Sequence, residues 1–103
     1  MKQPIFIGTV AGLSHSKPDF TLLAPTQQVH LAHEAANEYD ARAIRVTHPA
    51  AGKLGYLPRE STEAIHTAWS NGFEVHAAIS SIDPGLRYSK VIICVYINCQ
   101  PIS

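Results

Sequence analysis

An aromatic residue and an acidic residue stand side by side in a polar stretch of this chain. Tyr39 and Asp40 follow Asn37 and Glu38, and the next aromatic residue is Tyr56. A tyrosine ring offers a surface on which a base stacks, and an adjacent carboxylate accepts a hydrogen bond from a hydroxyl group. The pair predicts a pocket for the terminal nucleoside of a strand that ends in a hydroxyl, because the carboxylate repels a terminal phosphate. The alternative is a turn in which Tyr39 packs on the core and Asp40 bonds the backbone.

Other side chains in the same region are candidates to complete this pocket. Tyr56 is a candidate second wall, and a core tyrosine with its hydroxyl at the surface is the alternative. Arg59, Lys53 and Arg42 are the nearest cations and are candidates to meet backbone phosphates, with a solvated surface charge as the alternative for each. Arg59 is favoured because it opens a predicted helix whose free N–H groups also hold an anion. Asn37 is a candidate contact for a base edge or sugar, and a turn-forming role fits it equally.

Short strands must position these side chains. Six strands are predicted between turn residues, at residues 5–13, 27–34, 43–47, 53–57, 73–82 and 91–97. Alternation of apolar and polar residues indicates the strands at 27–34, 43–47 and 73–82, β-branched residues indicate the first strand, and a nearly continuous apolar run indicates the last. A loop is predicted over residues 14–19, and one helix over residues 59–71, where apolar residues recur at helical spacing. A single helix cannot supply the crossovers of a parallel sheet, so the strands are expected to be antiparallel. The pattern predicts a mainly β fold, either a small β-barrel or a rolled sheet with one helix.

The composition favours one domain over residues 1–103. Eight basic residues balance eight acidic residues, which argues against coating of duplex DNA and allows a site that grips one or two phosphates. Two cysteines, Cys94 and Cys99, do not make a disulfide framework, so a cytoplasmic location is expected. No apolar run approaches the roughly 20 residues of a membrane span, so no membrane partner is expected. The N-terminal apolar segment lacks a cleavage site for secretion.

Three segments in a fixed order resemble the HIRAN domain, a module found in some eukaryotic DNA translocases and alone in many bacterial proteins. They are Asn37-Glu38-Tyr39-Asp40, Ala43-Ile44-Arg45-Val46 and Gly55-Tyr56-Leu57-Pro58-Arg59-Glu60. The resemblance implies an OB-like antiparallel β-barrel with a helix after the Gly-Tyr-Leu-Pro-Arg-Glu segment. It also implies a non-catalytic module that binds single-stranded DNA at its 3′-hydroxyl end, with a role in DNA repair. The resemblance implies that Tyr39 and Asp40 form part of the pocket for this end, and family members carry an aromatic residue at the position of Tyr56. Together with the candidates named above, the predicted nucleic-acid-binding residues are Tyr39, Asp40, Tyr56, Arg59, Lys53, Asn37 and His15.

The chain departs from the family at one point. Translocase members carry a basic residue followed by an aromatic residue where this chain has Ser14 and His15. Ser14 cannot pair with a phosphate as a cation, whereas His15 can stack on a base or, when protonated, bind phosphate. This replacement leaves open whether end recognition survives.

Two other function classes remain alternatives at this point. The first is an accessory subunit that keeps the fold and binds a protein, such as a DNA-processing enzyme or translocase; the zero net charge and the replaced pair favour it. The second is a hydrolase or zinc-binding protein, based on scattered His, Asp and Cys residues. His30 and His33 point to opposite faces of a strand and do not converge, and no phosphate-binding Gly-rich loop occurs. No cofactor or metal is predicted.

Overall fold

Six antiparallel strands form a single sheet in the computed structural model, which describes residues 2–83 and 90–98. The strands are β1 (Lys2–Thr9), β2 (Gln28–His33), β3 (Ile44–His48), β4 (Gly52–Tyr56), β5 (Val75–Asp83) and β6 (Lys90–Asn98). Their order across the sheet is β1-β6-β5-β2-β3-β4. Each neighbouring pair is antiparallel. The predicted mainly β, antiparallel fold class is therefore confirmed.

The main helix follows β4, as predicted. A single 3₁₀ turn (Arg59–Ser61) leads directly into α2 (Thr62–Ser70), and together they cover most of the predicted range of 59–71. Glu63 lies in the first turn, where the helix dipole favours an acid. The helix ends where Gly72 adopts a left-handed conformation, with φ of +82°.

The segment after β1 differs from the prediction. A strand was expected over residues 5–13 and a loop over 14–19, but β1 begins at Lys2 and ends at Thr9, and a short helix, α1 (Leu13–Ser16), follows. Gly12 precedes this helix with φ of +83°, a conformation that breaks the strand. The hydroxyl of Ser16 then donates a 2.6 Å hydrogen bond to the carbonyl of Leu54 in β4. This long-range contact holds α1 against the sheet.

A single β-bridge joins the two ends of the sheet. Its edge strands, β1 and β4, do not pair with each other in the described part of the chain. Ala11, just beyond β1, exchanges two backbone hydrogen bonds of 2.8 and 2.9 Å with Tyr56. A side chain at Gly55 would collide with the carbonyl oxygen of Ala11, so this close approach requires glycine. Of the two predicted forms, the rolled antiparallel sheet fits the structure, because the sheet is not closed along a ladder and its ends are joined by one bridge.

The core lies on one face of the sheet and under α2. The largest fully buried side chains are Ile44, Leu54, Ile65, Ile79, Ile93, Val46, Val91 and Val95. Burying each of them contributes about 1.5–3 kcal/mol. This core holds β2, β3, β4 and α2 together, and the candidate site lies on the turn between β2 and β3 and on the segment that joins β4 to the helix.

Candidate nucleic-acid interface

The turn between β2 and β3 is built around one amide side chain. Oδ1 of Asn37 accepts hydrogen bonds from the backbone N–H groups of Tyr39 at 2.9 Å and Asp40 at 3.0 Å. The amide nitrogen of Asn37 donates to Oε1 of Glu34 at 3.2 Å. Both polar ends of Asn37 are therefore engaged within the protein, which fits the turn-forming alternative for this residue.

Tyr39 and Asp40 present their side chains at this turn. Tyr39 is 89% exposed, so the alternative of a core tyrosine is wrong. Oδ1 of Asp40 accepts a 2.9 Å hydrogen bond from the backbone N–H of Arg42, and Oδ2 lies 3.5 Å from Nε of Arg59. The Arg59 side chain is 78% exposed, and a pair of this kind adds about 0–1 kcal/mol to stability. Asp40 thus both closes the turn and keeps one oxygen loosely paired.

Tyr56 stands at the end of β4 in a chain of polar contacts. Its hydroxyl donates a 2.8 Å hydrogen bond to Oε1 of Glu34 and accepts one of 3.0 Å from Nζ of Lys53. The same Lys53 ammonium lies 4.5 Å from the centroid of the Tyr56 ring. Oε2 of Glu34 pairs with Nη1 of Arg45 at 3.1 Å. These contacts fix the orientation of the Tyr56 ring.

Glu34 is the residue that the sequence reasoning missed. Hydrogen bonds from Tyr56 and then Asn37 hold the pKa of its carboxyl below the ordinary value. Burial opposes this shift, and the charges of Arg45 and Lys53 lower the pKa by smaller amounts. Its position directly after an alternating strand and before the Asn-x-Tyr-Asp turn was the available signal. The contact with Tyr56 spans 22 residues, however, and no local pattern reveals it.

The side chains around the turn line a first hollow of about 250 Å³. Tyr39, Asp40, Tyr56 and Arg59 stand around it, with Ala43 and Leu57 among its apolar lining residues. Asn37 also lines this hollow, so the structure brings together two aromatic residues, one acid, one cation and one amide of the predicted set.

Two further hollows adjoin the first. The second hollow, of about 530 Å³, is lined by His15, Lys53 and Tyr56, together with Gly12 and Gly55. Tyr56 contributes to both the first and the second hollow, whereas His15 does not reach the first. A third hollow, of about 460 Å³, shares Tyr39, Asp40 and Arg59 with the first. Its lining also includes Arg42, Thr62 and Glu63. The first hollow therefore adjoins the second through Tyr56 and the third through Tyr39, Asp40 and Arg59.

The zinc-binding alternative finds no ligand set in the described residues. Across residues 2–83 and 90–98, no group of three or more His, Cys, Asp or Glu side chains could hold a metal ion. Cys99, the second cysteine of the zinc alternative, lies outside the described residues. His33 donates from Nε2 to the carbonyl of Ala41 at 2.7 Å. None of the helices in the described part of the chain is long and apolar enough to cross a membrane.

Comparisons with known proteins agree with this architecture. Residues 5–98 match the family model described as HIRAN domain. A crystal structure of a protein from Lactobacillus plantarum is similar, with a TM-score of 0.71 and 22% identity, over 95% of this chain and 98% of that chain. The crystal structure of the HIRAN domain of human HLTF is similar with a TM-score of 0.70 and 17% identity, over 93% of this chain and 78% of that one. No curated protein sequence matches significantly. The two structures share the fold with this chain and confirm the predicted OB-like architecture.

Proposed function

This chain belongs to the HIRAN domain family, whose model matches residues 5–98, and from that membership we propose that it binds the 3′-hydroxyl end of single-stranded DNA. HIRAN domains are DNA-binding modules. The observation that carries the finer proposal is the first hollow, where Tyr39, Asp40, Tyr56 and Arg59 meet. Its volume of about 250 Å³ lies just below the range of about 300–1,000 Å³ for pockets that hold drug-sized ligands. A site of this size suits one terminal nucleotide.

Tyr39 supplies the stacking surface. Its ring is 89% exposed, so a base covers apolar surface that is otherwise in water, at a gain of about 1–3 kcal/mol. Tyr56 supplies the second wall, and its hydroxyl bonds to Glu34 and Lys53 hold the ring before the ligand arrives. A wall that is already ordered costs less conformational entropy on binding.

Asp40 supplies the preference for a hydroxyl end. Its Oδ2 is only loosely paired, 3.5 Å from Nε of Arg59, which is longer than the roughly 2.7–3.2 Å of a good hydrogen bond. A terminal 3′-hydroxyl can donate to this oxygen, whereas a terminal phosphate meets like charge. Arg59 carries further N–H donors, and they are the proposed contact for the last phosphodiester.

The second hollow extends the site for the preceding part of the strand. Lys53 and His15 line it on the other side of Tyr56, so a strand leaving the first hollow crosses Tyr56 and meets these cationic or protonatable groups. Contacts with only a few phosphates fit the equal numbers of acidic and basic residues. A DNA-processing enzyme or translocase as a protein partner, and a role in DNA repair, stay predictions from the resemblance.

Fluorescence titration of the full chain with three labelled oligonucleotides tests the proposal. The oligonucleotides carry a 3′-hydroxyl, a 3′-phosphate or a 3′ end hidden in a hairpin, and each is measured at low and moderate salt. Tighter binding to the free hydroxyl supports end recognition. Equal affinity for all three removes it, and no binding at low salt favours the accessory-subunit alternative. Turnover of the oligonucleotide in added magnesium would instead support a hydrolase.

A further inference from the structure

Two histidines reach the turn that carries Tyr39 and Asp40 from separate elements. His33, at the end of β2, places Nε2 2.7 Å from the carbonyl oxygen of Ala41. His66, in the middle of α2, places Nε2 2.9 Å from the carbonyl oxygen of Arg42. A carbonyl oxygen can only accept, so Nε2 carries the hydrogen in both rings. Two consecutive backbone carbonyls directly after Asp40 are therefore bound by two imidazoles.

The two rings also contact each other and the helix. Their centroids lie 4.4 Å apart in an edge-to-face arrangement, and the ring of His66 lies 5.5 Å from that of Trp69 in a similar geometry. Trp69 is half-buried against the hydrophobic core. The rings of His33, His66 and Trp69 thus form a row that joins the end of β2, the turn and α2. We call the pair His33 and His66 the histidine clasp.

The other bonds of the turn are internal to it or, through the contact of Asn37 with Glu34, lead to Tyr56 in β4. Asn37 and Asp40 bond the backbone N–H groups of residues 39, 40 and 42, and the N–H of Ala43 bonds the carbonyl of Asp40 at 3.0 Å. Such local bonds shape a turn but do not set its position relative to α2. Apart from the loose pair between Asp40 and Arg59, the bond from His66 ties the turn to the helical segment.

We propose that His33 and His66 are positioning residues for DNA binding, because their clasp holds Tyr39 and Asp40 against Tyr56 and Arg59 and so forms the first hollow. This inference takes its ligand from the proposed function, whereas the claim that the clasp holds the turn does not depend on that function. The first and third hollows flank Asp40 and both include Arg59. A turn released from α2 would widen the space between Asp40 and Arg59, whereas the contacts of Glu34 with Asn37 and Tyr56 would remain. Neither histidine lines the first hollow, so their effect on DNA is indirect.

Backbone amide hydrogen exchange by NMR tests the clasp directly. The reporters are the amides of residues 39, 40, 42 and 43, which are bonded within the turn, and the amides of β3 serve as a reference for global stability. His66→Leu removes the N–H donor and keeps an apolar side chain, whereas His66→Gln places an N–H donor at the position of Nε2. We expect exchange at the reporters to rise about tenfold or more in His66→Leu and to stay within about twofold in His66→Gln, with β3 unchanged in both.

Oligonucleotide binding provides the functional arm of the test. His66→Leu should weaken binding of the 3′-hydroxyl oligonucleotide about five- to tenfold, and His66→Gln should restore it. His30→Leu, which changes another exposed histidine of β2, is the matched control and should bind as the unmodified chain does. If His66→Leu does not fold, His33→Leu and His33→Gln give the same comparison at the exposed end of β2.

The outcomes separate the two proposals. If the unmodified chain binds no oligonucleotide, the proposed function fails, and amide exchange alone decides whether the clasp holds the turn. Reporter amides that exchange equally in the unmodified chain and in the Leu variants would overturn the clasp, whatever the DNA result. Faster exchange in the Leu variants with unchanged DNA affinity would show that the clasp holds the turn without serving binding, which also contradicts the proposal.

Discussion

The hydroxyl oxygen of Tyr56 lies 2.8 Å from Oε1 of Glu34, across 22 residues of sequence. This contact joins the end of β4 to the end of β2. Because Glu34 also binds Asn37 and Arg45, one carboxylate connects the turn that carries Tyr39 to the strand that carries Tyr56. The two proposed aromatic walls are therefore coupled through a residue that need not touch the ligand.

Removing the carboxylate of Asp40 should abolish the preference for a hydroxyl end. A hydrogen bond to a charged group contributes about 1.5–3 kcal/mol, so Asp40→Ala should weaken binding to the 3′-hydroxyl oligonucleotide roughly 10- to 100-fold. Affinity for the 3′-phosphate oligonucleotide should fall much less or rise. Glu38→Ala is the matched control, since it removes one negative charge from an exposed position of the same turn. An identical loss in Glu38→Ala would show that the effect is not specific to the carboxylate of Asp40.

Truncating Tyr39 should affect binding and leave stability unchanged. The ring is 89% exposed, so Tyr39→Ala should not change the melting temperature, which differential scanning calorimetry measures. Loss of one stacked base should cost about 1–3 kcal/mol of binding free energy. Tyr39→Trp, which keeps a stacking surface, should bind as well as the unmodified chain. A Tyr39→Trp variant that has normal stability but binds the oligonucleotide weakly would argue against stacking at this position.

Glu34 should give the protein a measurable stability change in acid. Its pKa lies below the ordinary 4.5 in the folded state, so its contribution to stability is present above about pH 4.5 and is lost as the pH falls through the lowered value. Urea denaturation from about pH 7 to pH 3 should therefore show a shallower acid decline in Glu34→Gln than in the unmodified chain. Asp19, whose pKa is lowered by its hydrogen bonds with Thr21, should cause part of the loss of stability in acid both in the unmodified chain and in Glu34→Gln. Parallel curves would contradict this assignment.

The bridge between Ala11 and Tyr56 makes Gly55 sensitive to substitution. A Cβ at residue 55 would collide with the backbone of Ala11, so Gly55→Ala must break the bridge or shift β4. Gly12→Ala is a useful control, because its Cβ would meet nothing within 4 Å and only the cost of a left-handed residue, about 1–2 kcal/mol, applies. Chemical denaturation should show a clearly larger loss of stability for Gly55→Ala. Equal losses would mean that the bridge contributes little.

Few phosphates should contribute to affinity. For single strands, the slope of log affinity against log salt is about −0.7 for each phosphate contacted. One or two contacts predict a slope of roughly −0.7 to −1.4, and Arg59→Ala should make it shallower by about 0.7. Titrations at several salt concentrations measure this slope. A much steeper slope in the unmodified chain would indicate a wide basic surface, in contrast to the proposed end-binding hollow.

The strands and the main helix could be predicted because their signals are local. Ile44 and Val46 are fully buried on either side of the half-exposed Arg45, and this alternation is visible in the sequence. Pro58 and Gly72 are also local signals, because they mark the two ends of the helical segment. The short helix α1 was missed because a single turn carries no periodic pattern, and its anchor, the bond from Ser16 to Leu54, is long-range.

The site was predictable in its residue types and only partly in its contacts. Asn-x-Tyr-Asp is typical of a turn, and Tyr39 is exposed there as expected. Which distant side chain meets Tyr56, and which helix residue meets the turn, depends on strand pairing and on where α2 packs. For that reason Glu34 and His66 emerge only from the three-dimensional structure. The separation of His15 from Tyr39 also follows from the position of α1.

NMR titration of the full chain with a short oligothymidine that ends in a 3′-hydroxyl tests the central claim most directly. The account predicts the largest chemical-shift changes at Tyr39, Asp40, Tyr56 and Arg59, with intermolecular contacts between the terminal sugar and the turn. The same oligonucleotide with a 3′-phosphate should give much smaller changes at equal concentration. Changes that cluster on the outer face of β1, β6 and β5, or that are identical for the two ends, would contradict the claim that the first hollow holds a 3′-hydroxyl end.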